Sequence, residues 1–140
     1  MTRAHASCSG GVYPPEWEDF TSGCGSRDRG CRRLDDFVWE QVEELLANAS
    51  SDARLRERLH GQRVVFFLHL LGLDMNGHAH RPKSRQYFEN IASVDEGVAR
   101  LERLFAAFYN DSDTAYVFTA DHGMSNKGSH GDGEPECTQI

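Results

Sequence analysis

The sequence has few basic residues and no long hydrophobic run. It contains 15 Lys and Arg against 22 Asp and Glu, so the formal net charge is -7. Nucleic-acid-binding surfaces need clustered Lys and Arg that displace counterions from phosphates, and this balance argues against a nucleic acid partner. The longest nearly unbroken apolar run extends only from Val64 to Leu73 and includes His69. A membrane-spanning helix needs about 20 apolar residues, so we expect no membrane span in this chain.

The N-terminus and the cysteines also lack familiar signals. No apolar core of the kind found in signal peptides follows Met1, so we expect no export signal in the chain itself. The four cysteines, Cys8, Cys24, Cys31 and Cys137, match neither a C-x-x-C redox pair nor a zinc ribbon. The first three leave two interpretations open, one disulfide in an oxidising lumen or inert thiols in a loop.

The length, the composition and the helical patterns of the chain indicate one globular domain. A length of 140 residues corresponds to one domain, and 39% hydrophobic residues are typical of a globular protein. Apolar residues at three- and four-residue steps predict a helix that begins at Arg33 and another at about 84–109. A short helix at 51–59 is predicted between them, with Ser51 or Asp52 as its cap.

Two continuous apolar runs, 64–68 and 115–119, predict strands that are buried on both faces. A strand, a crossover helix and a second strand make one right-handed βαβ unit, in which the two strands are parallel. The predicted fold class is therefore α/β. Residues 1–32 are rich in Gly, Ser and Pro and are expected to be irregular, and the tail at 132–140 is expected to be mobile.

Carboxylates and imidazoles follow both predicted strands. Asp74 and His78 come after the first strand, Asp121 and His122 come directly after the second, and His130 lies between glycines further on. Because parallel strands finish at the same edge of a sheet, we expect these five side chains to converge there. Such a set is typical of zinc or manganese sites. Each pair alone is also explained by a solvated loop or a turn, and only their joint placement favours a metal site.

His80 and Arg81 directly follow the first pair of candidate ligands. Their side chains suit contact with an anionic substrate. A solvated loop explains the same two residues equally well, so both interpretations stay open.

Three long motifs resemble one enzyme family. They are FFLHLLGLDMNGHAHRP at 66–82, AYVFTADHGM at 115–124 and GSHG at 128–131. Together they closely resemble the glycosylphosphatidylinositol (GPI) ethanolamine phosphate transferase 1 family, which belongs to the alkaline phosphatase superfamily. The resemblance implies an internal fragment of the family's luminal catalytic domain, an α/β/α sandwich, with the partial catalytic domain at 33–131.

By position, the resemblance implies a centre with two metal ions. Asp74, His78 and His130 would hold one ion, and Asp121 and His122 would hold the other. Two zinc ions are implied, with manganese or magnesium as alternatives. The family's nucleophilic threonine belongs to a segment upstream of those present here, so the resemblance assigns no catalytic nucleophile to this chain. Glu134 stands where the family has a histidine.

The implied reaction is the transfer of phosphoethanolamine from phosphatidylethanolamine to the first mannose of the GPI precursor. The implied partners are these two lipids, and the implied location is the luminal side of the endoplasmic reticulum membrane. We expect the chain alone to be a partial, inactive piece. Two alternatives stay open, a soluble metal-dependent phosphodiesterase or phosphomutase of the same superfamily and a non-catalytic metal-binding module.

Overall fold

The structure, a computed structural model, describes residues 31–138 and has five helices in that range. They are α1 (Arg32–Ser51), α2 (Ala53–Leu59), α3 (Gly72–His80), α4 (Arg85–Tyr109) and α5 (Pro135–Thr138). Most of the segment predicted to be irregular, 1–30 with Cys8 and Cys24, lies outside the described residues, as do 139–140. In the described range, no helix combines the length and the apolar character that crossing a membrane requires.

The three helices predicted from apolar periodicity are confirmed as α1, α2 and α4. The Asp52 carboxylate caps α2 by accepting hydrogen bonds from the N–H groups of Arg54 and Leu55. The Ser84 hydroxyl caps α4 in the same way and accepts from the N–H of Tyr87. Both caps satisfy N–H groups that have no partner inside the first turn of a helix, which is why these helices begin where they do.

α1 and α4 run parallel and form most of the core between them. Arg32 pairs with Glu89 at 3.3 Å, and Glu43 pairs with Arg100 at 2.9 Å. Between these ion pairs the indole of Trp39 packs directly on Gly97. Val94, Leu101 and Phe105, which belong to the apolar steps that predict this helix, face inward, whereas Ile91, which also belongs to them, is exposed. The buried face consists of Asn90, Val94, Gly97, Leu101 and Phe105.

Gly97→Ala is expected to destabilise the chain. Alanine in place of glycine normally favours a helix by about 1 kcal/mol. Here the added Cβ would lie within 2.8 Å of three atoms of the Trp39 indole, and such overpacking costs about 1–3 kcal/mol. The midpoint of urea unfolding should therefore fall. An increase in the midpoint would show that Trp39 has room to move.

The two predicted strands are extended segments that are not buried on both faces. Residues 31–138 contain no hydrogen-bonded strand. Along 64–70, alternate side chains such as Phe66 and Leu68 pack against the helical core, whereas Val65 and Phe67 are 64% and 76% exposed. Residues 115–119 are exposed throughout. The prediction of burial on both faces was wrong, because the described residues supply a helical layer on one side only.

The segment expected to be a mobile tail contains α5. Cys137 of this helix is buried and is a free thiol. Its carbonyl accepts a hydrogen bond of 3.0 Å from the N–H of Gly123, and its Sγ donates weakly to the Ser129 carbonyl at 3.5 Å. Helix α5 is thereby tied to the loop that follows the second extended segment.

Candidate metal centre

The position of α3 is set by a carboxylate from α1. The N-cap residue of α3, Leu71, makes no side-chain capping hydrogen bond. The buried Asp35 takes that role, because its Oδ1 accepts a hydrogen bond of 2.8 Å from the N–H of Gly72. A Cβ at Gly72 would collide with the Asp35 carboxylate. Asp35 therefore fixes the start of the helix that carries two of the candidate ligands.

A loop at 121–130 packs on α3 through glycine contacts. Met124 Sδ and the ring of Tyr87 both lie against Gly77, where an added Cβ would collide with Met124. Gly128 has a φ of 73°, a conformation that favours glycine. Its carbonyl accepts a hydrogen bond of 2.8 Å from Nδ1 of His78. These contacts bring the second part of the site onto the first.

Three of the five candidate ligands, Asp74, His78 and His130, come together at this junction. Their ligand atoms all lie within 4.8 Å of one another. His78 Nε2 lies 3.1 Å from His130 Nε2 and 3.4 Å from Asp74 Oδ2. Asp74 Oδ1 lies 3.1 Å from His130 Nε2. Tetrahedral zinc with bonds of about 2.0–2.1 Å needs ligand atoms about 3.3 Å apart, so these separations fit such an ion.

The hydrogen bonding of the three side chains also fits a cation. Because the Gly128 carbonyl can only accept, His78 Nδ1 carries the proton, and the lone pair of Nε2 points toward the other two ligands. Asp74 Oδ1 is buried and has no hydrogen-bond partner within residues 31–138. A carboxylate oxygen and two imidazole nitrogens that converge in this way form a ligand set suited to a divalent metal.

The other two candidate ligands lie beside this group and are not part of it. The ring of His122 stacks on that of His130, with centroids 3.9 Å apart. Asp121 Oδ2 lies 3.8 Å from His122 Nε2, and the side chain of Asp121 is 77% exposed. In the described part of the chain, no third acidic, imidazole or thiol ligand completes a compact group with this pair.

The two residues considered for substrate contact differ in their surroundings. Arg81 is exposed, and its guanidinium donates a hydrogen bond of 2.9 Å to the carbonyl of His78. It also lies against Gly128. Arg81 thus supports the junction between α3 and the loop, whereas His80 is half-buried at the end of α3.

Two residues near the centre have perturbed acidities and were not singled out from the sequence. Burial, and after it the charge of Asp74, raises the pKa of the Tyr87 phenol, which therefore stays a proton donor. Burial raises the pKa of the Asp35 carboxyl to about 6, although the hydrogen bond from Gly72 opposes the shift. A sequence signal for Asp35 existed, because it is a carboxylate on the same helical stripe as Trp39 and Val42.

Asp35→Asn is expected to remove a pH dependence of stability. The folded pKa of about 6 exceeds the ordinary 3.8, so the contribution of Asp35 is present below pH 3.8 and is lost as the pH rises through 6. The loss amounts to about 3 kcal/mol. The unfolding free energy of the variant should therefore rise relative to that of the wild type between pH 4 and pH 7. Urea unfolding measures both proteins. If the unfolding free energies of variant and wild type differ by the same amount at pH 4 and pH 7, the raised pKa of Asp35 is contradicted.

Comparisons with known proteins match the segment that holds these residues. The family model described as type I phosphodiesterase / nucleotide pyrophosphatase matches residues 3–130. The chain is 51% identical over 129 residues to GPI ethanolamine phosphate transferase 1 of Aspergillus fumigatus, which covers 92% of this chain and 12% of the relative. The mouse protein of that name is 45% identical over 127 residues, covering 90% of this chain and 13% of the relative. The chain thus spans about an eighth of the length of these relatives. No solved structure matches it.

Proposed function

Because this chain belongs to the type I phosphodiesterase / nucleotide pyrophosphatase family, we propose that it is part of the catalytic domain of a GPI ethanolamine phosphate transferase. The proposed reaction moves phosphoethanolamine from phosphatidylethanolamine to the first mannose of the GPI precursor. The observation that carries the proposal is the convergence of Asp74, His78 and His130, whose ligand atoms all lie within 4.8 Å of one another. These residues lie within 3–130, the segment that the family model matches.

The proposed centre holds two divalent ions, zinc by preference and manganese or magnesium as alternatives. Asp74, His78 and His130 hold the first. Asp121 and His122 contribute to the second, and its other ligands come from outside this chain. When bound, such a pair of ions stabilises the attacking and leaving oxygens of phosphoryl transfer. The stacking of His122 on His130 supports two adjacent sites, because it places the second pair against the first group.

The residues of the chain have distinct proposed tasks at this centre. Gly128 holds His78 in the tautomer that leaves Nε2 free. The protonated Tyr87 phenol keeps a neutral donor close to the Asp74 carboxylate. His80 and Arg81 contact the anionic substrate. The nucleophilic threonine comes from another part of the protein, and Thr119 is exposed at the end of an extended segment.

We further propose that 64–70 and 115–119 are neighbouring parallel strands of an α/β/α sandwich in the complete protein. The phenyl ring of Phe105 contacts both segments, at 4.8 Å from the Phe66 ring and 6.4 Å from the Tyr116 ring. Both segments also lead into the metal centre at their carboxyl ends. The exposed faces of Val65 and Phe67 are then covered by other parts of the protein.

The proposed location is the luminal side of the endoplasmic reticulum membrane. Cys31 is disulfide-bonded, which supports an oxidising compartment. The proposed partners are the two lipid substrates, because a transferase of this kind takes phosphoethanolamine from one lipid and delivers it to another.

A chimera tests the function directly. The matching segment of the Aspergillus fumigatus relative is replaced by this chain, and the transfer of labelled phosphoethanolamine to the GPI precursor is measured in membranes. The chimera should be active, and its His130→Ala variant should be inactive. A chimera that is folded and binds zinc but only hydrolyses phosphodiesters would favour the phosphodiesterase alternative. One that does neither would favour a non-catalytic metal-binding module.

A further inference from the structure

Three polar side chains are buried behind α3 and have atoms without partners. Asp35 on α1, Asn76 on α3 and Asn90 on α4 are each at most 3% exposed. Within residues 31–138, no hydrogen bond reaches Asp35 Oδ2, Asn76 Oδ1 or either side-chain atom of Asn90. Buried polar groups in folded proteins are nearly always paired, directly or through ordered water, so these atoms call for an explanation.

The register of the helices places the three residues at one junction. Because Arg32 pairs with Glu89 and the two helices run parallel, Asn90 lies level with the first turn of α1, about 3 Å along the axis from Asp35. Asp35 in turn holds the N–H of Gly72. Asn76 follows Gly72 by one turn on the same buried face of α3. The unpartnered atoms therefore come from three helices that meet behind the metal ligands.

We propose that Asp35, Asn76 and Asn90 form one buried polar network, completed by ordered water, that positions α3 and thereby aims Asp74 and His78 at His130. Asp35 and Asn76 offer acceptors and the Asn90 amide offers both kinds of group, so ordered water between them can satisfy all three side chains. They are positioning residues, because none of them touches the ligand group itself. The inference rests on the proposed metal centre and identifies the residues that keep its ligands in position.

A double-mutant cycle on the full chain tests the network, with Co²⁺ as the probe and its visible absorption as the measure of affinity and ligand geometry. Asp35→Ala and Asn90→Leu should each weaken Co²⁺ binding about 10- to 100-fold, as loss of residues that orient metal ligands does. The double variant should bind no more than about threefold more weakly than the worse single variant, because both changes break the same network. If the affinity losses of the two single variants multiply in the double variant, the proposal is overturned.

Two controls separate positioning from loss of stability. Asp35→Asn keeps the acceptor for Gly72 and should bind Co²⁺ within about threefold of the wild type, with an unchanged spectrum. Leu46→Ala removes a core side chain of α1 from the packed cluster, and it should lower stability without changing the affinity of the folded protein. If Asp35→Ala does not fold, Asn76→Ala replaces it in the cycle. A loss of Co²⁺ affinity in Leu46→Ala as large as the loss in Asn90→Leu would also overturn the proposal.

The same cycle distinguishes failure of the network from failure of the metal centre. If the wild-type chain binds no Co²⁺, the proposed metal centre is wrong, and the cycle is read from the midpoints of urea unfolding. Non-additive midpoints would then still support the network, and additive midpoints would overturn it.

Discussion

His78→Ala is expected to lower the affinity of the chain for Zn²⁺ about 100-fold or more. Zinc sites with four ligands bind with about 10–16 kcal/mol, so each ligand supplies about 3 kcal/mol, which corresponds to about 100-fold. His78 Nε2 faces both Asp74 and His130. Its removal also breaks the hydrogen bond to Gly128 and so loosens the loop that carries His130. Titration with a competing chromophoric chelator measures the change.

His80→Ala is the matched control for this prediction. His80 lies on the same helix and is outside the group of converging ligands. Its replacement removes one imidazole from α3 and should leave zinc affinity within about twofold of the wild type, because no ligand is lost. Equal losses in the two variants would mean that zinc binds through general imidazole content and that the converging group is not the site.

Gly77→Ala is expected to weaken zinc binding about 10- to 100-fold, as loss of contacts that orient metal ligands does, although it changes no ligand. The added methyl group would collide with the end of the Met124 side chain, which would have to leave its place against Gly77, where the ring of Tyr87 also lies. The new position of Met124 should loosen the packing of the 121–130 loop on α3 and shift His130 relative to Asp74. Misplacement of about 1 Å is enough to disable a site that depends on exact geometry.

A second substitution tests this explanation by rescue. Met124→Ala removes the atoms that collide, so the double variant Gly77→Ala/Met124→Ala should recover much of the lost zinc affinity. Ala79→Gly, at an exposed position two residues along the same helix, controls for a change in helix propensity, which is worth only about 1 kcal/mol. If the double variant does not recover affinity, Gly77→Ala acts by distorting α3 itself and not through Met124.

Local signals made α1, α2 and α4 predictable, whereas α3 and α5 were not predicted as helices. The burial of the predicted strands depends on residues outside each segment. The caps at Asp52 and Ser84 and the apolar steps of α1 and α4 lie within one helix each, and they can be read from the sequence. The apolar character of 64–68 predicts a strand, and the segment has neither helix nor turn. Its burial depends on what lies beside Val65 and Phe67, and no local pattern contains that information.

The candidate site was also predictable only in part. The placement of Asp74 and His78 after one extended segment, and of His130 after the other, indicated convergence through the geometry of strand ends. The contacts that produce the convergence act through space. The hydrogen bond from Gly72 to Asp35 joins residues 37 positions apart, and the contact of Met124 with Gly77 joins the 121–130 loop to α3. Neither has a periodic signature, so only the structure reveals them.

The parallel arrangement of α1 and α4 has a consequence for how the protein folds. Arg32 and Glu89 are 57 positions apart, so pairing the two helices closes a long loop, which is slow compared with forming an antiparallel hairpin of helices. α4, with its own cap at Ser84, can form early as a local helix. We expect the hydrogen bond from Gly72 to Asp35 and the alignment of the ligands on α3 to follow the docking of α1. A newly made chain therefore passes through a period in which its helices exist and its metal centre does not, so zinc binding should lag behind helix formation during refolding.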